Sequence, residues 1–144
     1  MSVISTSLAS ALVVVLCIGG FSDAERSERG LPSLPVAITT YTGRNPFDYN
    51  NYGCYCGLGG GGKIMDSVDR CCYDHDRCYA SVNKDCIIPA QLILNRINCS
   101  NGSCSCPNTA GSCAHKTCTC DVQFGVCLKG KPYNRNNKGN CQKS

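Results

Sequence analysis

Cysteine is the feature that most constrains this chain, because 15 of its 144 residues are cysteines. A reducing compartment keeps thiols open, so this density is typical of an exported domain held by disulfides rather than of a cytosolic enzyme. One cysteine, Cys17, lies in the N-terminal segment, and the other 14 follow residue 50. An even set of 14 can form seven disulfides and leave no free thiol.

The N-terminal segment has the pattern of an export signal. Residues 8–21 form an apolar run, and small residues follow it up to Ala24, where a signal peptidase could cleave. We therefore predict a signal peptide over residues 1–24, a candidate pro-segment over residues 25–29 and one secreted domain over residues 30–144. An amphipathic or core helix is the alternative for the apolar run. After it no stretch is long and apolar enough for a membrane span, which excludes a mature transmembrane protein.

Two segments carry the signals of long helices. Asp66 can cap the first turn of a helix that ends near Cys86, before Pro89. Cysteines and His75 recur along one side of this helix at helical spacing. A second helix is predicted over residues 111–128.

The chain before Asp66 has weaker signals. Ser33 or Leu34 could cap a short helix that has Pro35 in its first turn, where the missing N–H of proline costs little. Residues 42–63 have the composition of turns and include a run of glycines. A loop so rich in glycine loses much conformational entropy on folding, and neighbouring disulfides can tether it.

A hairpin is predicted over residues 98–107. Asn101-Gly102 is the strongest short signal for a two-residue turn. With that turn, Cys99 and Cys104 face each other at a non-hydrogen-bonded pair, where the Cα separation suits a disulfide. We predict the Cys99–Cys104 bridge from this geometry.

The chemistry lies in residues 71–78, CCYDHDRC. His75 and Asp76 are adjacent on a helix and point roughly 100° apart, so they cannot form a base and its orienting group. A neutral histidine can take a proton from water near pH 7. A carboxylate can bind Ca²⁺, which prefers oxygen ligands, and the backbone carbonyls of residues 55–59 could supply the others.

Asp121 is the best candidate to orient His75. It lies beside Cys118 and Cys120, and a disulfide from Cys78 to either one would bring the two helices together. Since His75 is one helical turn before Cys78, Asp121 could then reach the imidazole.

Simpler interpretations exist for each of these residues. His75 could be a packed helix residue, and Asp76 and Asp121 could be solvated surface charges. The C-x-C and CC spacings favour disulfides over zinc. The glycine run follows no apolar strand, which argues against a dinucleotide site. His115 has no evident partner and is expected to be exposed.

Four motifs together resemble secreted phospholipase A2: YGCYCGLGG at 52–60, DRCCYDHDRCY at 69–79, CTCD at 118–121 and PYN at 132–134. The resemblance covers most of the mature domain. It implies a mainly helical, disulfide-rich fold with two long antiparallel helices cross-linked by disulfides, a glycine-rich Ca²⁺ loop and a small β-hairpin. It also implies a Ca²⁺-dependent esterase that cleaves the sn-2 acyl bond of glycerophospholipids.

The resemblance also implies a role for each site residue. His75 would activate water, Asp121 would orient it, and Tyr79 would hydrogen-bond to Asp121. The implied Ca²⁺ ligands are the carboxylate of Asp76 and the carbonyls of Tyr55, Gly57 and Gly59. The Gly57 N–H and the ion would stabilise the oxyanion.

The resemblance implies six disulfides besides the hairpin bridge. They are Cys54–Cys141, Cys56–Cys72, Cys71–Cys127, Cys78–Cys120, Cys86–Cys113 and Cys106–Cys118. One departure concerns the hydrogen bonds of Asp121. The family's second tyrosine in that network should lie four residues before Cys99, where this chain has Asn95.

The expected partner is a phospholipid membrane surface. Cleavage after Ala24 removes one of ten acidic residues and none of 14 basic ones, which leaves a net charge of +5. The basic tail from Lys129 could favour anionic lipid. We expect a secreted monomer with no nucleic-acid partner. The alternatives are a weakly active or inactive phospholipase-like protein that binds a receptor, channel or matrix, and an unrelated disulfide-rich binding module.

Overall fold

The computed structural model describes residues 32–141, so the predicted signal peptide and pro-segment lie outside the described residues. Three α-helices and a two-stranded antiparallel sheet are the main elements of this part. They are α1 (Ser33–Thr42), α2 (Ser67–Asp85), β1 (Asn98–Ser100), β2 (Ser103–Ser105) and α3 (Cys113–Leu128). Short 3₁₀ turns lie at Pro46–Asp48, Ala90–Leu92 and Arg135–Asn137. The predicted mainly helical class is confirmed. Among residues 32–141, no helix is both long and apolar enough to cross a bilayer.

Helix α2 begins where the sequence predicted. The Asp66 carboxylate accepts a hydrogen bond from the backbone N–H of Asp69 at 2.9 Å, which satisfies one of the free donors of the first turn. The helix ends at Asp85, and the backbone of the capping residue Cys86 is extended.

Disulfides join α2 to α3 in antiparallel order. Three bridges start from α2 or from the residue that follows it. The later the cysteine of this segment stands in the chain, the nearer its partner lies to the start of α3. They are Cys71–Cys127, Cys78–Cys120 and Cys86–Cys113. The other four predicted bridges also form, and they are Cys54–Cys141, Cys56–Cys72, Cys99–Cys104 and Cys106–Cys118. The two long helices are thereby fixed side by side with His75 and Asp121 between them.

The hairpin has the predicted register. Asn101 and Gly102 have φ values of 51° and 72°, so both occupy the left-handed region that a two-residue hairpin turn requires. Cys99 pairs with Cys104, and their Cα atoms lie 4.0 Å apart.

The prediction that Ser33 or Leu34 caps α1 is wrong. Pro32 precedes the helix and gives no side-chain hydrogen bond, and Ser33 is already the first helical residue. Its side chain is completely buried. The hydroxyl is therefore directed into the protein rather than toward the N–H groups of its own helix.

Helix α1 packs closely on α3 because α3 carries a glycine at the crossing. A Cβ at Gly125 would lie 2.5 Å from the ring of Tyr41 and 3.0 Å from the carbonyl oxygen of Ala37. No side chain larger than hydrogen fits there without movement of α1. Gly125 thus sets how deeply the N-terminal helix sits against the helix that carries Asp121.

Candidate active site

His75 of α2 and Asp121 of α3 form a buried pair. The imidazole Nε2 lies 2.8 Å from Asp121 Oδ1. The relative exposures of the two residues are 9% and 1%. The Cys78–Cys120 bridge joins the same two helices next to this contact. With Nε2 engaged, Nδ1 is the ring nitrogen left to accept a proton.

Two aromatic rings hold the imidazole in place. The Tyr79 ring lies 4.2 Å from the His75 ring and the Phe124 ring lies 4.7 Å from it, centroid to centroid. The Tyr79 hydroxyl donates to Asp121 Oδ1 at 2.7 Å. Burial, and then the negative charge of Asp121, raise the pKa of Tyr79 far above its usual range. The phenol therefore stays protonated and remains a donor.

The other carboxylate oxygen of Asp121 has a partner that the sequence analysis missed. The Ser33 hydroxyl, from the first residue of α1, donates to Asp121 Oδ2. Asn95 stands where the resemblance implies a tyrosine, so this position has no hydroxyl to donate to Asp121. It is buried, and its Oδ1 has no hydrogen-bond partner among the described residues.

Asp69, a second missed residue, organises the glycine-rich loop. It is fully buried, and its carboxylate accepts hydrogen bonds from the N–H groups of Cys54 at 3.0 Å, Tyr55 at 2.7 Å and Met65 at 2.9 Å. A Cβ at Gly53 would lie 2.4 Å from the Asp69 carboxyl carbon. The loop is thereby held on the surface of α2.

The loop lies against Asp76. A Cβ at Gly60 would be 3.0 Å from Asp76 Oδ2, so only glycine leaves the carboxylate its full space. Gly57 and Gly59 have φ values of 137° and 75°, which other residues rarely adopt. Burial raises the pKa of Asp76. The electrostatic interaction with His75 opposes this rise, and the negative charge of Asp69 adds to it.

These groups fit a hard cation better than a soft one. The described residues contain no group of three or more His, Cys, Asp or Glu placed to hold a metal. Zn²⁺ prefers nitrogen and sulfur ligands, whereas Ca²⁺ accepts backbone carbonyls together with a carboxylate. A half-buried carboxylate beside a glycine-rich backbone therefore suits Ca²⁺.

One cavity of about 650 Å³ joins the two parts of the site. Its lining includes all but one of the predicted site residues, namely His75, Asp76, Tyr79, Tyr55, Gly57 and Gly59. Asp121 lies behind His75, outside the lining. Much of the remaining wall is apolar, and it includes Leu34 and Phe124. Phe47 and Leu58 also line the cavity while remaining 77% and 95% exposed.

The fold and the site define a small, mainly helical, disulfide-linked scaffold that presents a histidine–aspartate pair to an apolar cavity. A family model described as phospholipase A2 matches residues 31–138. The chain belongs to the phospholipase A2 family, which is a family of lipid hydrolases.

Curated relatives carry the same name. The chain is 37% identical to a basic phospholipase A2 of Micrurus corallinus over 133 residues, which cover 91% of this chain and 90% of the relative. It is 39% identical to acidic phospholipase A2 E of Naja oxiana over 72% of this chain and 91% of the relative. It is also 39% identical to basic phospholipase A2 1 of Naja sagittifera, over 75% and 98%.

Proposed function

We propose that this chain is a secreted, Ca²⁺-dependent phospholipase A2 that hydrolyses the sn-2 ester of glycerophospholipids. The observation that supports it most is the 2.8 Å contact between His75 Nε2 and Asp121 Oδ1. His75 shares one cavity with Asp76 and the glycine-rich loop. Family membership supports the reaction class.

In the proposed reaction, water is the nucleophile. His75 Nδ1 takes a proton from water while the water oxygen attacks the sn-2 carbonyl carbon. The imidazolium then returns that proton to the leaving glycerol oxygen as the ester C–O bond breaks. Asp121 holds the ring and stabilises its positive charge through Nε2. The products are a free fatty acid and a lysophospholipid.

The proposed Ca²⁺ ligands are the Asp76 carboxylate and the carbonyls of Tyr55, Gly57 and Gly59. When bound, Ca²⁺ polarises the ester carbonyl and balances the negative charge that develops on its oxygen. In this proposal the Gly57 N–H donates a hydrogen bond to the same oxygen.

The proposed substrate surface is a phospholipid bilayer. Phe47 and Leu58 stand exposed at the cavity, where their apolar side chains can enter lipid while a phospholipid enters the cavity. Basic residues of the tail can add attraction to anionic lipid, worth about 1 kcal/mol each near the surface. Lys138 is partly engaged within the protein, since its Nζ donates to the carbonyl of Phe47 at 2.6 Å.

Fatty-acid release from vesicles tests this function directly. Oxidised protein would be mixed with phospholipid labelled at the sn-2 chain, in Ca²⁺ or in a chelator, at several fractions of anionic lipid. We expect release of the labelled chain only with Ca²⁺, and faster release as the anionic fraction rises. Release of the sn-1 chain, or equal release in the chelator, would contradict the proposal.

A second candidate is a phospholipase-like binding protein with little or no activity. The observation that favours it is Asn95, which is buried with an unpartnered Oδ1 where the resemblance implies a tyrosine. Protein that binds Ca²⁺ and vesicles but releases no fatty acid would support this candidate.

A further inference from the structure

We propose that Ser33 is a positioning residue for the His75–Asp121 pair and acts through the second oxygen of the carboxylate. Its hydroxyl donates to Asp121 Oδ2. Ser33 is fully buried and Asp121 is 1% exposed, so water cannot readily replace this bond. The consequence for turnover rests on the proposed function, whereas the effect on the pair itself does not.

The two carboxylate oxygens have different partners. Oδ1 receives both the imidazole Nε2 of His75 and the hydroxyl of Tyr79. Ser33 is the donor to Oδ2 among the described residues. Partners on both oxygens fix the plane of the carboxylate, and that plane sets the direction of the bond to His75. Without Ser33, Oδ2 would be a buried charged acceptor with no donor from residues 32–141.

The packing of α1 on α3 explains why Ser33 reaches this point. Ser33 and Ala37 are four residues apart on α1, and Asp121 and Gly125 are four residues apart on α3. Each pair therefore lies on one face of its helix. Because Ala37 lies close to Gly125, the turn that precedes Ala37 on α1 lies close to the turn that precedes Gly125 on α3. The N-terminal helix thus delivers a hydroxyl to the catalytic pair of the proposed reaction.

Ser33→Ala removes this donor, and Thr42→Val is the matched control. Thr42 is the last residue of the same helix, and its hydroxyl donates to the carbonyl of Ile38 at 2.7 Å, away from Asp121. Both variants lose one hydroxyl from α1. Four quantities would be measured: kcat and the half-saturating concentration on vesicles, the Ca²⁺ dissociation constant by calorimetry, and the proton resonance of the His75–Asp121 hydrogen bond.

For Ser33→Ala we expect kcat to fall about tenfold, with Ca²⁺ affinity and half-saturating vesicle concentration unchanged, because the pair is misaligned rather than removed. The proton resonance of the His75–Asp121 hydrogen bond should shift. Thr42→Val should change none of these values. A Ser33→Ala protein with kcat within about twofold of the parent and an unmoved resonance would overturn the proposal, as would equal effects in both variants.

Failure of the proposed function would be seen separately. If the parent chain releases no fatty acid, kcat cannot be compared between the variants. The proton resonance of the His75–Asp121 hydrogen bond still tests the role of Ser33. A shift in Ser33→Ala and not in Thr42→Val would support the positioning role. An unmoved resonance would overturn it, whatever the reaction.

Discussion

Two neighbouring glycines of the glycine-rich loop differ in what a side chain would meet. A Cβ at Gly60 would lie 3.0 Å from both Asp76 Oδ2 and the Tyr55 Cα. A Cβ at Gly61 would have no neighbour within 4 Å. Neither residue has a positive φ, so an alanine at either position differs only in these contacts.

Gly60→Ala is therefore expected to weaken Ca²⁺ binding by about tenfold or more, because the new methyl group displaces either Asp76 or the backbone that supplies the carbonyls. Gly61→Ala is expected to bind Ca²⁺ as the parent does. Calorimetric titration of both variants checks this. Equal affinities in the two variants would place the cation elsewhere.

At this scale, residues with a local motif were predictable and residues with only distant partners were not. His75 and Asp76 stand in a recognisable motif. Ser33 looked like a helix cap, because its partner lies 88 residues away in the sequence. Asp69 carried one usable signal, since it lies seven residues before Asp76 and so on the same helix face.

The start of α2 depends on a carboxylate with three partners. Asp66 accepts from the Tyr52 hydroxyl, from Asn137 Nδ2 at 2.7 Å and from the Asp69 N–H at 2.9 Å. Burial pushes the pKa of Asp66 upward, but these hydrogen bonds outweigh it and hold the pKa below the ordinary value.

Asp66→Asn keeps a capping oxygen and removes the charge. A lowered pKa contributes stability that is present above the pKa of the unfolded chain and is lost as pH falls through the folded value. We expect the variant to be less stable by about 1 kcal/mol at pH 7, the difference between a charged and a neutral acceptor. The deficit should shrink toward zero at pH 2.

Guanidinium unfolding with intact disulfides, at pH 7 and pH 2, measures this difference. Asp74→Asn is the control on the same helix, because its carboxylate is exposed beside Arg70 and should contribute little. A deficit in Asp66→Asn that is the same at both pH values would show that charge is not involved.

Elements that depend on short-range chemistry were predicted from the sequence. The hairpin follows from Asn101-Gly102, and α2 follows from its cap at Asp66, since both depend on residues within a few positions. The docking of α1 on α3 could not be predicted from residues within a few positions. It depends on the fit between Ala37 and Gly125, which are 88 positions apart.

At the scale of the whole molecule, disulfides link distant parts of the described chain. Seven disulfides join the described 110 residues, and three of them run between the α2 segment and α3. The hairpin bridge could be derived from geometry, but spacing alone does not determine how 14 cysteines pair. The other six pairings came from the family resemblance, and all are present in the structure.

The apolar surface at the cavity predicts how the molecule meets a bilayer. Phe47→Ser should weaken vesicle binding by about tenfold or more, because one large apolar side chain no longer enters lipid. Val126→Ser is the control, since Val126 is 52% exposed on α3 and does not line the cavity. Sedimentation with vesicles measures both. Equal weakening would mean that no particular face meets the membrane.

The most direct test of the account replaces His75 with glutamine and measures fatty-acid release and Ca²⁺ binding on the same samples. Glutamine can keep a hydrogen bond to Asp121 but cannot take a proton from water. We expect turnover to be abolished while Ca²⁺ affinity stays within about threefold of the parent value. Turnover at the parent rate would contradict the role of His75 and, with it, the proposed mechanism.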